Sequence, residues 1–359
     1  MKLRIAVYLP VILLAVASGA AAQSYTITDL GVLKGDNESS GFFINNLGEV
    51  VGCSDTQTVN GYPCTGMVPG QHAFYWSAAK GMKDLGTLSG ASVSGAIGVN
   101  DAGTVVGYSN VKGQPATNFV AVQWGPSGGI TNLGTLSGGA SSSAFQINSA
   151  GQVSGDSFVS NGKVNATSWT NKKIKNLGAL PGSIFTAGLA INDNGYIVGE
   201  SVFNYGPPFK SHAFLWNGST MKDLGTLCGG TTSMANAING SGIVVGQSDG
   251  HSSGGLWHAV QWGSNGEIKD LGVLKGGTYS VAFGVNDFDV VVGYGNISTN
   301  APHAMIWTSG SGMKDLNSEI QAGTGWTLIN ANSINNVGQI TGYGSKNGHN
   351  HAFVLTPKN

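Results

Sequence analysis

Five of the chain's seven histidines, His72, His212, His258, His303 and His351, recur at one position of a repeated segment. Imidazoles in that number suggest a transition-metal site, which needs its ligand atoms about 2 Å from a single point. Copies of one repeat position are instead spread around a closed ring, so these side chains read as structural imidazoles, each hydrogen-bonded to a neighbouring turn. His349 and His351 would join His251 only if folding gathered them. No metal site and no cofactor are expected.

The carboxylates are similarly tied to the repeat. Of 18 acids, five open an Asp-Leu segment (Asp29, Asp84, Asp223, Asp270, Asp315) and three follow a recurring Asn (Asp101, Asp193, Asp287). The other ten are scattered, with only Asp36 and Glu38 close together. A glycosidase needs two carboxylates flanking one bond, and the sequence singles out no such pair. It also lacks an H-E-x-x-H helix, a P-loop ending in Gly-Lys-Ser/Thr and an Asp-rich calcium loop. Gly-rich pieces such as Leu136-Ser137-Gly138-Gly139 have no following helix and read as turns rather than phosphate cradles. No catalytic residue is assigned.

Residues 1–22 read as an export signal: Lys2 and Arg4 precede the apolar run Ile5 to Val16, and Ala20-Ala21-Ala22 form a small-residue cleavage site before Gln23. The expected location is secreted or periplasmic. Removing Lys2 and Arg4 from the 17 basic residues leaves 15 Lys, no Arg and a formal charge of −3 against the 18 acids. Phosphate tracking relies on clustered Lys and Arg, so a nucleic-acid partner is disfavoured. In an exported chain, Cys53 and Cys64 are spaced to clip one loop by a disulfide, whereas Cys228 has no evident partner.

The elements that would hold these residues follow from a unit seen seven times. Its anchor is Ile or Val followed by Asn: Asn45, Asn100, Asn148, Asn192, Asn239, Asn286 and Asn335. Seven residues after each Asn stands a Gly: Gly52, Gly107, Gly155, Gly199, Gly246, Gly293 and Gly342. Each unit reads as four short strands, exemplified by Ser94 to Val99, Thr104 to Tyr108, His212 to Trp216 and Met221 to Gly225. Between the first two lies Asn-x-x-Gly, where the Asn closes an Asx-type turn. Four residues before each anchor the side chain is always small, which fits the crowded innermost strand of a blade. The repeated Trp of the third strand reads as packing between blades rather than a sugar platform.

Tyr25 to Leu30 supplies a fourth strand before any first strand, and the last unit stops after its third, His351 to Leu355. The two ends complement each other. The expectation is therefore an all-β, seven-bladed β-propeller of four-stranded blades, closed by N-terminal strand pairing with the C-terminal blade, as one domain over 23–359.

His72-Ala73-Phe74, His212-Ala213-Phe214 and His351-Ala352-Phe353, with Asp-Leu-Gly-Thr-Leu at Asp84 and Asp223, resemble the bacterial extracellular HAF-repeat family. The resemblance spans essentially the whole mature chain and implies an exported bacterial protein, without implying catalytic residues or a substrate. The second and third units depart from it, with Val120-Ala121 and Asn165-Ala166 in place of His-Ala.

Links from strand two to three, such as Ser54 to Gln71, Ser201 to Ser211 and Gln247 to Trp257, are long and dissimilar, and emerge on one face. Variable loops on a rigid scaffold are where binding usually resides. Tyr62, Phe158, Phe203, Tyr205, Phe209 and Trp257 are aromatics of those links outside the repeat pattern, and are the candidate contact residues. The leading expectation is a monomeric, non-catalytic binding module for a glycan or cell-surface protein, with no membrane insertion after signal cleavage. A structural, matrix-associated scaffold and a polysaccharide-active enzyme are the alternatives.

Overall fold

In the computed structural model, residues 24–56, 58–59, 62–64, 69–114, 118–251 and 253–358 are described. The export signal read at 1–22 lies outside them.

The described chain is almost entirely antiparallel β-structure. In the second unit Ser94–Val99, Val105–Asn110, Phe119–Trp124 and Ile130–Asn132 pair in sequence order, and the other units repeat this meander. Alternation explains its two faces. In Val50–Asp55 the Val50, Gly52 side meets Trp76 and Phe74 across the strand pair, and these aromatics are buried.

Hydrogen bonding corrects the expectation of seven separate four-stranded blades. Five four-stranded sheets stand apart, whereas the third and fourth units share one eight-stranded sheet. They are fused by a parallel pairing of Val164, which opens Val164–Thr170, with Phe185, which opens Phe185–Ile191. The expected closure is also revised. Tyr25–Gly31 pairs with His349–Pro357 and so lies at the outer edge of one sheet. Continuity between the last and first units is carried by other groups, nearer the axis.

Those groups are the anchor asparagines. Each uses its Oδ1 to accept a backbone N–H four residues on, as Asn45 does from Glu49 and Asn239 from Ile243. Each also donates Nδ2 to the anchor carbonyl of the following unit, Asn45 to Asn100, Asn100 to Asn148, and Asn148 to Asn192. The series continues from Asn192 to Asn239, Asn239 to Asn286, and Asn286 to Asn335. Asn335 then donates to Asn45 at 2.9 Å. The side chains are buried, so each amide satisfies groups that would otherwise be costly to bury. The Asx turn is therefore half of the asparagine's task.

The glycine seven residues on is fixed by close approach. A Cβ at Gly52 would collide with the Ser40 carbonyl, and the other six copies meet the equivalent carbonyl, such as Ala187 O for Gly199. The crowding arises because every first strand is bulged three residues before the anchor, at Phe42, Ile97, Phe145, Leu189, Asn236, Phe283 and Asn332. A bulge re-aims the extra side chain. All seven face the axis.

Serines join the units further out. Ser94 Oγ accepts from the Ala73 N–H at 2.9 Å and donates to the Gly86 carbonyl, and Ser39 does the same with Ala352 and Gly31. Trp262 reaches the preceding unit, donating Nε1 to the Leu224 carbonyl. Among the described residues no helix is long and apolar enough to cross a membrane.

Candidate functional site

The five recurrent histidines each place Nδ1 against the Asp of an Asp-Leu segment. His72 lies 2.9 Å from Asp84, His212 2.7 Å from Asp223, His258 2.9 Å from Asp270, His303 2.5 Å from Asp315 and His351 3.0 Å from Asp29. The other use of these carboxylates is local: Asp84 accepts the Gly86 N–H and Asp223 the Gly225 N–H. The imidazole thus bonds the residue that shapes the turn, not the turn backbone itself. The sequence carried a readable signal of this pairing. Val120 and Asn165 replace His in the two units where Asn132 and Asn176 replace Asp, and Asn165 Nδ2 donates to Asn176 Oδ1. These partly exposed pairs contribute on the order of 1 kcal/mol or less each.

Burial works to raise the Asp29 carboxyl, but hydrogen bonds from Lys346, the Gly31 N–H and His351 outweigh it and hold the group below the ordinary carboxylate range. Asp223 is lowered in the same way, burial being outweighed by His212 and the Gly225 N–H. Among the described residues no three His, Cys, Asp or Glu side chains gather as a metal site.

The residue after each invariant Gly is the position where the repeat loses its regularity: Cys53, Tyr108, Asp156, Glu200, Gln247, Tyr294 and Tyr343. Burial pushes Asp156 up to about 7 against hydrogen bonds from the Ser143 backbone and hydroxyl. Burial also raises Glu200, against a hydrogen bond to Ser211. A carboxyl that holds its proton toward neutrality, as Asp156 does, can donate a hydrogen bond; neither acid belongs to a repeat motif, so spacing gives no sign of them. Cys53 forms a disulfide with Cys64, Cα–Cα 6.0 Å. Cys228 is exposed and unbridged.

The candidate aromatics fall in several places. Phe203, Tyr205 and Phe209 come together in one link: Tyr205 and Phe209 ring centroids lie 6.4 Å apart, and the Lys210 ammonium sits over Phe203. That link is shorter than the sequence suggested, because Ile197–Asn204 and Lys210–Trp216 stay paired out to Asn204 and Lys210. Phe158 ends Val153–Phe158 in the third unit and is exposed. Tyr62 lies in Tyr62–Pro63, which pairs with Thr58–Val59 to form a small hairpin inside the first link; its side chain is outside the described set.

Trp257 stands elsewhere. With Gly255, Leu256, Tyr279 and Tyr294 it lines a depression of about 340 Å³. Trp257 is 44% exposed, while its Nε1 donates to Thr232 Oγ1 at 3.0 Å. Tyr279 and Tyr294 pack edge to face beneath, and Tyr294 stacks on Phe283 of the axial wall. The ring is therefore held in place with a face open to solvent.

A larger cavity, about 470 Å³, runs along the axis and is lined by the first strands and anchor turns of all seven units. Its wall includes Phe42, Ile97, Phe145, Leu189 and Phe283, and its rim Asp101, Asp193 and Asp287. The anchor turns repeat one short pattern, so residue spacing gives no sign of this opening.

Meanders of antiparallel strands set around such an axis define the class: the chain is an all-β propeller. The solved structure of a streptogramin B lyase superposes with a TM-score of 0.51 over 93% of this chain and 98% of that one, at 10% sequence identity. A puromycin hydrolase matches at 0.50 and 10% identity, over 92% of this chain and 54% of its own length. At such identities the likeness concerns the fold alone. No protein-family model and no curated protein matches the chain.

Proposed function

We propose that the chain is an exported, non-catalytic recognition module of the HAF-repeat type that binds a glycan through its variable links, with Trp257 as the contact surface. The observation that carries this reading is the fixed yet exposed indole. Restraint by Thr232 lowers the ordering cost of binding, and the open ring face over a depression sized for a small ring suits the apolar face of a sugar. Aromatic side chains supply large contact area with a polar handle. Tyr205 and Phe209, exposed on the neighbouring unit, extend the aromatic surface available to a longer chain.

The test is calorimetric titration of the chain with oligosaccharide fragments chosen from a glycan array. Trp257→Ala should weaken binding at least tenfold, about 1.4 kcal/mol, with the melting temperature of the free protein unchanged. An array with no bound glycan would refute the reading, as would glycan binding indifferent to Trp257→Ala.

A further inference from the structure

The anchor turns differ from the variable links in charge. Two positions after the anchor Asn stand Leu47, Ala102, Ala150, Asn194, Ser241, Phe288 and Val337. Phe288, Val337 and Leu47 belong to three successive units around the ring and are 73%, 62% and 66% exposed. A serine or alanine would serve the turn equally well, as the other units demonstrate, so the fold does not require these side chains. Each follows a residue that lines the 470 Å³ axial cavity, Asn46, Asp287 or Asn336, and the wall of that cavity is itself apolar at Phe42, Ile97, Phe145, Leu189 and Phe283. Exposed apolar side chains that the fold does not require mark interaction sites.

The same turns carry five carboxylates, Glu49, Asp101, Asp193, Asp287 and Asp289, and no Lys, Arg or His. They are held by neutral donors: Asp101 by Asn46, Asp193 by the Ser149 N–H, and Asp287 by the Gly240 N–H and Asn336. Glu49 and Asp289 take anchor amides from Asn45 and Asn239. Among the described residues none of the five forms an ion pair with a basic side chain. A concave site lined by one sign of charge focuses its field on an oppositely charged partner.

We propose that this face is a second binding site, which takes a basic segment of a partner protein, with an apolar side chain of that segment entering the axial cavity and its Lys or Arg groups meeting the acidic turns. Charge selects the occupant. A second copy of the chain would bring five carboxylates against five, and anionic lipid or nucleic acid would be repelled. Three exposed apolar side chains on three successive units outspan a small cation and suit a polypeptide. The site is separate from the Trp257 depression and does not depend on the glycan reading.

The probe is a fluorescent twelve-residue peptide alternating Lys and Leu, followed by anisotropy with the full chain; Glu/Leu and Lys/Ser peptides of the same length serve as controls. The Lys/Leu peptide should bind, weaken at least tenfold on raising salt from 0.05 to about 0.5 M as surface charges are screened, and exceed both controls. Leu47→Ser with Phe288→Ser and Val337→Ser should weaken it at least tenfold with the melting temperature preserved. Asp101→Asn with Asp193→Asn should reduce the salt dependence while leaving the apolar contribution. The proposal is overturned if the Lys/Leu peptide does not bind, if Glu/Leu binds as well, if the serine variant binds equally, or if sedimentation reveals a dimer that the serine variant dissociates.

Discussion

Asp156→Asn tests the buried carboxyl directly. The group moves from 3.8 to about 7 on folding, so between those values the folded protein keeps a proton that the unfolded chain has lost. Stability must then fall as pH rises through that window. Three pKa units at 1.36 kcal/mol each set an upper bound of about 4 kcal/mol. Asp156 retains some accessible surface, and water there trims the expected figure to about 2 kcal/mol. Asparagine keeps an oxygen to accept from Ser143 and carries no charge at any pH. Urea unfolding at pH 4 and pH 8 measures the difference: variant and parent should agree at pH 4, and the variant should be more stable by about 2 kcal/mol at pH 8. A variant less stable at pH 8, or one whose advantage is the same at both pH values, would refute the argument.

Other perturbations have equally definite outcomes. Asn192→Ala removes a donor to Asn239 and an acceptor of the Asn194 and Tyr196 N–H groups, and should cost about 2–3 kcal/mol in urea unfolding. Gly199→Ala drives a methyl into the Ala187 carbonyl and should yield little folded protein by circular dichroism, whereas Ala at Gly206, where a Cβ meets only the Asn204 side chain at 3.5 Å, should be tolerated. Opening the Cys53–Cys64 loop by Cys64→Ser should lower stability by about 3 kcal/mol, given the separation of 11 residues. Asp29 is held low in the fold, so its contribution is complete above about pH 4 and disappears as pH falls through its folded value. Removing its partner with Lys346→Met should shrink that acid-side loss in a melting-temperature series from pH 2 to 6.

The repeating framework was legible because its causes are local. An Asn that closes a turn, a Gly that permits a close approach and a small residue on the inner strand each leave a fixed residue at a fixed spacing. What spacing hid was the partner across units. Six of the anchor amides bond a carbonyl 44 to 55 residues away and the seventh one 290 residues away, a relation visible only once the strands are arranged around an axis. The pairing of His with Asp was readable from their joint replacement in the second and third units. The axial wall was not, because the bulge breaks the two-residue alternation on which strand faces are assigned. Phe288, Val337 and Leu47 leave no signal for a different reason: the turn needs its Asn and its positive-φ residue, and the position between them varies freely from unit to unit.

The anchor hydrogen bonds all run one way, each unit giving to its successor. Every such joint presents the same chemistry, so a gene that gained or lost a whole unit would still find donor matched to acceptor at the new seam, with only the curvature altered. Strand pairing also crosses two of the seams, at Val164 and Phe185 between the third and fourth units and at Ser211 and Thr232 between the fourth and fifth. Copy number should therefore drift more readily at the other joints, and units three to five should be inherited together.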